Sequence, residues 1–146
     1  MKRTGKSLIA LWLAAAPVNA AAAEPPLVTA SQLTGNTLSA VVFVARSPNV
    51  PGGGELARIM IQAYLTADGL ALVRAWDARR DAYTEPAERR WSLSGSTFCL
   101  DVPLAALQPI CADIHIWGPR IAGIGVKPYV MLDGDLQSGN AIGSGR

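Results

Sequence analysis

Asp113 and His115 are two residues apart, and in an extended strand that spacing puts both side chains on one face. A carboxylate beside an imidazole can orient it for base catalysis, or the pair can supply two metal ligands. Ser94 and Ser96 could offer a hydroxyl nucleophile to this histidine, the only one in the chain. The chain has no G-x-S-x-G elbow, however, and a Ser-Gly-Ser run is what a tight turn requires for backbone reasons alone. Asp133-Gly134-Asp135 begins like a calcium loop but lacks the third acidic position and the distal glutamate, so it reads as a turn. Metal sites use three or four protein ligands, and no cluster of His, Cys or Glu surrounds Asp113 and His115. The pair therefore reads as the polar face of a strand. A hydrolase centred on it is the most distant function considered, and no cofactor or metal is expected.

Trp76, Trp91 and Trp117 fall in three different expected strands. If they shared a face they could line a cavity for one apolar ligand inside a small barrel. Otherwise they are packing residues. Arg79, Arg80, Arg89 and Arg90 bracket a stretch that also holds Asp77, Asp81, Glu85 and Glu88, and the mixed signs read as a solvated loop.

The N-terminus indicates where this chemistry would operate. Lys2, Arg3 and Lys6 form a basic head, followed by an apolar run at 7–16 (SLIALWLAAA) and small-residue cleavage positions at 18–23. That order matches a secretory signal peptide, expected here at 1–23, and the run is short of the roughly 20 apolar residues that a membrane span needs. The whole chain has 13 basic and 11 acidic residues, and the leader holds three basic residues and no acidic ones. The remaining 24–146 thus carries ten basic against eleven acidic, a net charge of −1. A near-neutral domain gives no reason to expect nucleic acid as a partner. It is long enough for one domain with a real core. In an exported chain the two cysteines, Cys99 and Cys111, are expected to form a disulfide.

The elements that would position these residues are strands. Thr29 can cap a short helical turn over 29–33 (TASQL), and Gly35 can end it in a left-handed conformation. The run 37–46 (TLSAVVFVAR) is β-branched and aromatic. The segment 56–65 (LARIMIQAYL) fits either period, but Asp68-Gly69 followed by 70–76 (LALVRAW) makes it one arm of a hairpin. Trp91-Ser92-Leu93 and 97–102 flank the Ser-Gly-Ser turn. The stretch 110–117 alternates, 126–132 meets the Asp133-Gly134 turn, and 138–146 is a Gly/Ser-rich end expected to fray. Short strands separated by turns, with no βαβ alternation, predict an all-β antiparallel meander curled into a sheet or small barrel.

The order of Leu33-x-Gly35-Asn36-Thr37, Tyr64-Leu65-x-x-Asp68-Gly69, Trp91-x-Leu93, Phe98-Cys99 and Cys111, closing with Gly139-Asn140, resembles a family of small secreted proteobacterial proteins. That family has no assigned activity. The resemblance implies export and a β fold, and it transfers no catalytic residue.

The expected function is an exported, non-enzymatic binding or interaction module with a protein or cell-envelope partner, periplasmic or secreted and without a membrane span after cleavage. The alternative is a barrel carrier of an apolar ligand lined by Trp76, Trp91 and Trp117. Export predicts that mass spectrometry of a periplasmic extract finds a mature N-terminus near Ala21 or Glu24. An intact Met1 in the cytoplasm refutes it.

Overall fold

The computed structural model describes residues 27–45, 56–102, 109–126 and 129–143. The expected leader and the 48–54 loop lie outside them. A short helix, α1 (Ala30–Leu33), is followed by nine strands. These are β1 (Asn36–Ala45), β2 (Leu56–Leu65), β3 (Leu70–Asp77), β4 (Ala82–Tyr83) and β5 (Ala87–Ser94). They continue with β6 (Thr97–Leu100), β7 (Ile110–Trp117), β8 (Arg120–Val126) and β9 (Tyr129–Ser138).

Every pairing is antiparallel, and the last strand returns to the first. β1 pairs β2 on one side and β9 on the other, from Asn36↔Ser138 to Ala45↔Tyr129. The ring runs β1-β2-β3-β5-β6-β7-β8-β9, an eight-strand closed barrel with β4 attached to β3. Closure leaves no long unpaired edge, the main liability of a β protein.

The strands alternate as a barrel wall must. Leu38, Ala40 and Val42 of β1 are buried, as are Ile61, Ala63 and Leu65 of β2 and Ala71, Val73 and Ala75 of β3. Phe98 and Leu100 of β6, Ile114 of β7, Ile121 of β8 and Val130 of β9 complete one contiguous apolar cluster. Each fully buried Leu, Ile or Phe contributes about 1.5–3 kcal/mol relative to its exposed state. Eight strands enclose a space that side chains can fill, and here they do.

Glycine sets the curvature at two close approaches. A Cβ on Gly125 would run into the Cys111 carbonyl oxygen, and one on Gly134 would run into the Ser39 carbonyl oxygen and the Ala40 side chain. β7–β8 and β9–β1 can pack and bend there only because these side chains are absent.

One end of the barrel is plugged. Gln32 Oε1 accepts the Thr29 amide at 2.8 Å, which closes the first turn of α1. Gly35 follows at φ +78°, as its position predicts. Leu33, Val28 and Ile142 are buried at this end. Thr37 is the one fully buried polar side chain among the described residues. Its hydroxyl donates to the Gly139 carbonyl at 2.7 Å and accepts the Ala141 amide at 2.9 Å. The expectation of a frayed end is thus wrong for 138–142: Ser138 belongs to β9, and the next residues are pinned by Thr37.

The Asp68-Gly69 hairpin is present, with four residues between β2 and β3 and Gly69 at φ +79°. Gly95 at φ +61° opens the expected turn between β5 and β6. Three other expectations are corrected. Asp133-Gly134 is no turn: both residues lie inside β9, paired to Val41 and Ala40. β8 was not expected as a strand. Gly118-Pro119 turns the chain into it, with Gly118 at φ +58° and proline supplying the second turn position. The charged stretch 79–90 is not all loop, since β4 and the first half of β5 lie within it. Both pair with β3, but Trp76↔Tyr83 and Val73↔Ala87 differ by one residue in register, so one strand is broken at 84–86. The Thr84 hydroxyl takes the Ala75 amide at 3.1 Å, and Pro86 has no amide to give to a ladder.

The disulfide is present. Cys99 and Cys111 are directly opposed on β6 and β7, with Cα atoms 4.1 Å apart. Bridging a loop of this size stabilises by about 3 kcal/mol in the chain-entropy model.

The glycine contacts predict that Gly125→Val costs about 3 kcal/mol or more, because backbone rather than a movable side chain is in the way. Urea unfolding measures it, and a cost under about 0.5 kcal/mol would show that β8 does not approach β7 this closely.

Candidate functional site

Asp113 and His115 point outward from β7, on one face as expected. The carboxylate is engaged elsewhere. Asp113 Oδ1 accepts the Thr97 hydroxyl at 2.6 Å and lies 3.4 Å from the Ser96 hydroxyl. Thr97 stands directly opposite Asp113 in the β6–β7 ladder, so this is a cross-strand hydrogen bond that fixes register. His115 is exposed and makes no hydrogen bond among the described residues. The serine therefore meets the aspartate, and no relay runs from carboxylate to imidazole to hydroxyl. Among the described residues, no three of His, Cys, Asp and Glu are grouped to hold a metal ion.

Asp133 and Asp135 point outward from β9 and bracket Arg120 of β8. The guanidinium lies 2.7 Å from Asp133 and 3.5 Å from Asp135. All three side chains are substantially exposed, so each pair is worth well under 1 kcal/mol. Their role is to order the outer face locally.

The three tryptophans are not brought together. Trp91 points into the barrel, 8% exposed, donates its indole N–H to the Thr66 carbonyl at 3.0 Å and packs 6.2 Å from Phe98. Trp76 is on the outside of β3, edge-on to Tyr83 at 5.2 Å. Arg74 lies over the same Tyr83 ring at 4.7 Å and donates to Gln62. Trp117 sits at the end of β7 and is 53% exposed. Strand alternation separates Trp76 from Trp91, and the Gly118 turn carries Trp117 to the rim. The single tryptophan-lined wall expected of an apolar carrier does not form.

The outer face instead gathers residues that the sequence reading had not singled out. Ile124 and Met131 are direct cross-strand partners on β8 and β9, and are 61% and 59% exposed. Tyr129, two residues before Met131, is 57% exposed, and half-buried Phe43 of β1 stands opposite Met131. Beside them runs a shallow groove of about 300 Å³, lined by Val41, Met60, Tyr83, Ser39 and the Arg120–Asp133 pair. The signal for these residues was weak. In Tyr129-Val130-Met131-Leu132 both parities are apolar, so alternation alone does not say which one faces water.

A second hollow, about 440 Å³, lies by the disulfide between Asp68, Arg90, Ser92 and Asp101. The Thr66 hydroxyl and the Leu70 amide both donate to Asp68, which holds its carboxyl below the usual carboxylate range. These bonds close the β2–β3 turn, which is a structural role.

No family model matches the chain, and no curated protein or solved structure is similar to it. Among the described residues no helix is long and apolar enough to cross a membrane.

Because the folded state favours the ionised Asp68, its contribution to stability is complete above the ordinary carboxylate pKa. It is lost as pH falls through the lowered one. Carboxyl-carbon NMR titration should find Asp68 below the usual carboxylate range, and Asp68→Asn should flatten part of the acid limb of the stability curve. An ordinary titration of Asp68 would show that the turn does not depend on its charge.

Proposed function

We propose that the protein is an exported, non-enzymatic interaction module of the bacterial cell envelope, engaging a partner through the outer face of β8, β9 and β1. The adjacency of Ile124, Met131 and Tyr129 carries this reading. Scattered exposed apolar residues are ordinary, but several large ones on neighbouring strands, rimmed by Arg120, Asp133 and Asp135, have the make-up of a contact surface. Export rests on the leader pattern and is supported by the disulfide, a bond that persists in oxidising compartments. The likeness in motif order to small secreted proteobacterial proteins points the same way. A carrier with its ligand inside the barrel is disfavoured, because Phe98, Leu100, Ile114 and Ile121 occupy the interior.

A photo-crosslinking residue at Met131 should give specific adducts in the periplasm, and one at exposed Glu88 of β5 should not. Ile124→Lys should abolish the adducts while changing stability by less than about 0.5 kcal/mol, since the side chain is already in water. Equal labelling at both positions, or adducts insensitive to Ile124→Lys, would refute the surface.

A further inference from the structure

The residue of the 79–90 stretch that remains unexplained is Arg89. β5 alternates, and Arg89 shares the inward parity of Ala87, Trp91 and Leu93, while Glu88 and Arg90 are exposed. Its direct cross-strand partner is Ala71 of β3, which is 1% exposed. On the other side, Trp91 pairs with Leu100 of β6, and the chain continues to buried Val102. The Arg89 side chain thus leaves the backbone among apolar neighbours. Its Nε is buried and has no hydrogen-bond partner, and no carboxylate among the described residues forms an ion pair with it. Asp77, two residues beyond Ala75 on β3, is already engaged by the Arg79 amide at 2.9 Å and by Arg80 at 3.8 Å.

A buried N–H donor without an acceptor bears the desolvation cost of an unmade hydrogen bond, here at Nε. Apolar packing would be better served there by methionine or leucine. An acceptor from outside the chain resolves the anomaly. Nε and one Nη form a planar fork that matches two oxygens of a carboxylate or phosphate. Arg89 is also placed to be reached. It is the third residue of β5, and the side chain as a whole is only half-buried.

We propose that Arg89 anchors a binding site for a small oxyanion, a carboxylate or phosphate group, where β5 pairs with β3. The site is separate from the outer face of β8 and β9, and its failure would leave that surface untouched.

Thermal unfolding of the purified protein tests this with inorganic phosphate, acetate and dodecanoate, each against sodium chloride at equal ionic strength. At least one oxyanion should raise Tm saturably, by about 10 °C at a hundredfold excess over its Kd. Phosphate acting alone assigns a phosphate site. Acetate and dodecanoate acting together assign a carboxylate site, and a much tighter dodecanoate adds an apolar tail to the ligand. Arg89→Met should lose the rise without lowering Tm in chloride, and Arg89→Lys, which lacks the fork, should recover only part of it. Should Arg89→Met not fold, the wild-type Arg89 Nε–H resonance still decides: it should move and become protected as the active anion is added. No oxyanion surpassing chloride, an Arg89→Met shift equal to the wild type, or an unmoved resonance would overturn the proposal.

Discussion

The pairing of β1 with β9 is the constraint on which the rest depends. It joins residues about a hundred positions apart, from Asn36↔Ser138 to Ala45↔Tyr129, and so turns a meander into a ring. Without it, β1 and β9 would each present a long row of unpaired amides and carbonyls, and half of the interior would face water. Closure this tight needs small residues where the strands meet. Gly134 and Ala40 face each other across the seam, and a larger side chain at Gly134 would strike the Ser39 backbone. The seam is also locked from one end. Thr37 binds both the Gly139 carbonyl and the Ala141 amide, so the chain leaving β9 is held to the strand that starts the barrel. A buried hydroxyl with both donor and acceptor satisfied adds no unpaired polar group to the core.

The two ends of the barrel differ as a result. The α1 end is covered by Leu33, Val28 and Ile142, the last of them buried through the Thr37 anchor. The β2–β3, β5–β6 and β7–β8 turns lie at this end, and each carries a glycine with positive φ. It behaves as a structural cap. The exposed apolar residues lie on the wall between the ends.

What could be read in advance follows from how local each signal is. Gly35, Gly69 and Gly95 announce their turns because a left-handed residue is a local demand that few other residues meet. The disulfide followed from cysteine count and compartment, and the ladder confirms it by setting Cys99 opposite Cys111. Asp133-Gly134 has the composition of a turn, yet its glycine is required by packing against Ala40 rather than by its own φ. β8 was missed for the same reason. In RIAGIGV the glycines make room for neighbouring strands and are not breaks. Ala87–Arg90 looked like loop because charges dominate it, but Glu88 and Arg90 simply occupy the water side of a strand. These are tertiary demands, and nothing within a ten-residue window reports them.

The candidate surface was less legible than the fold for a related physical reason. Sequence reading looks for groups that can do chemistry, and it picked Asp113, His115 and the tryptophans. Two of these have structural work: Asp113 pins register to Thr97, and Trp91 spans from Thr66 to Phe98. Ile124, Met131 and Tyr129 are exposed on the wall, and the Arg89 Nε is buried without a partner. An exposed isoleucine or methionine adds nothing to the core, and an inward arginine detracts from it. Serine or lysine at 124 and 131 would serve a free-standing barrel as well, and leucine at 89 would serve it better. Positions whose occupants do not help the fold are where binding is best sought. In this barrel they include the β8–β9 wall and Arg89 on β5.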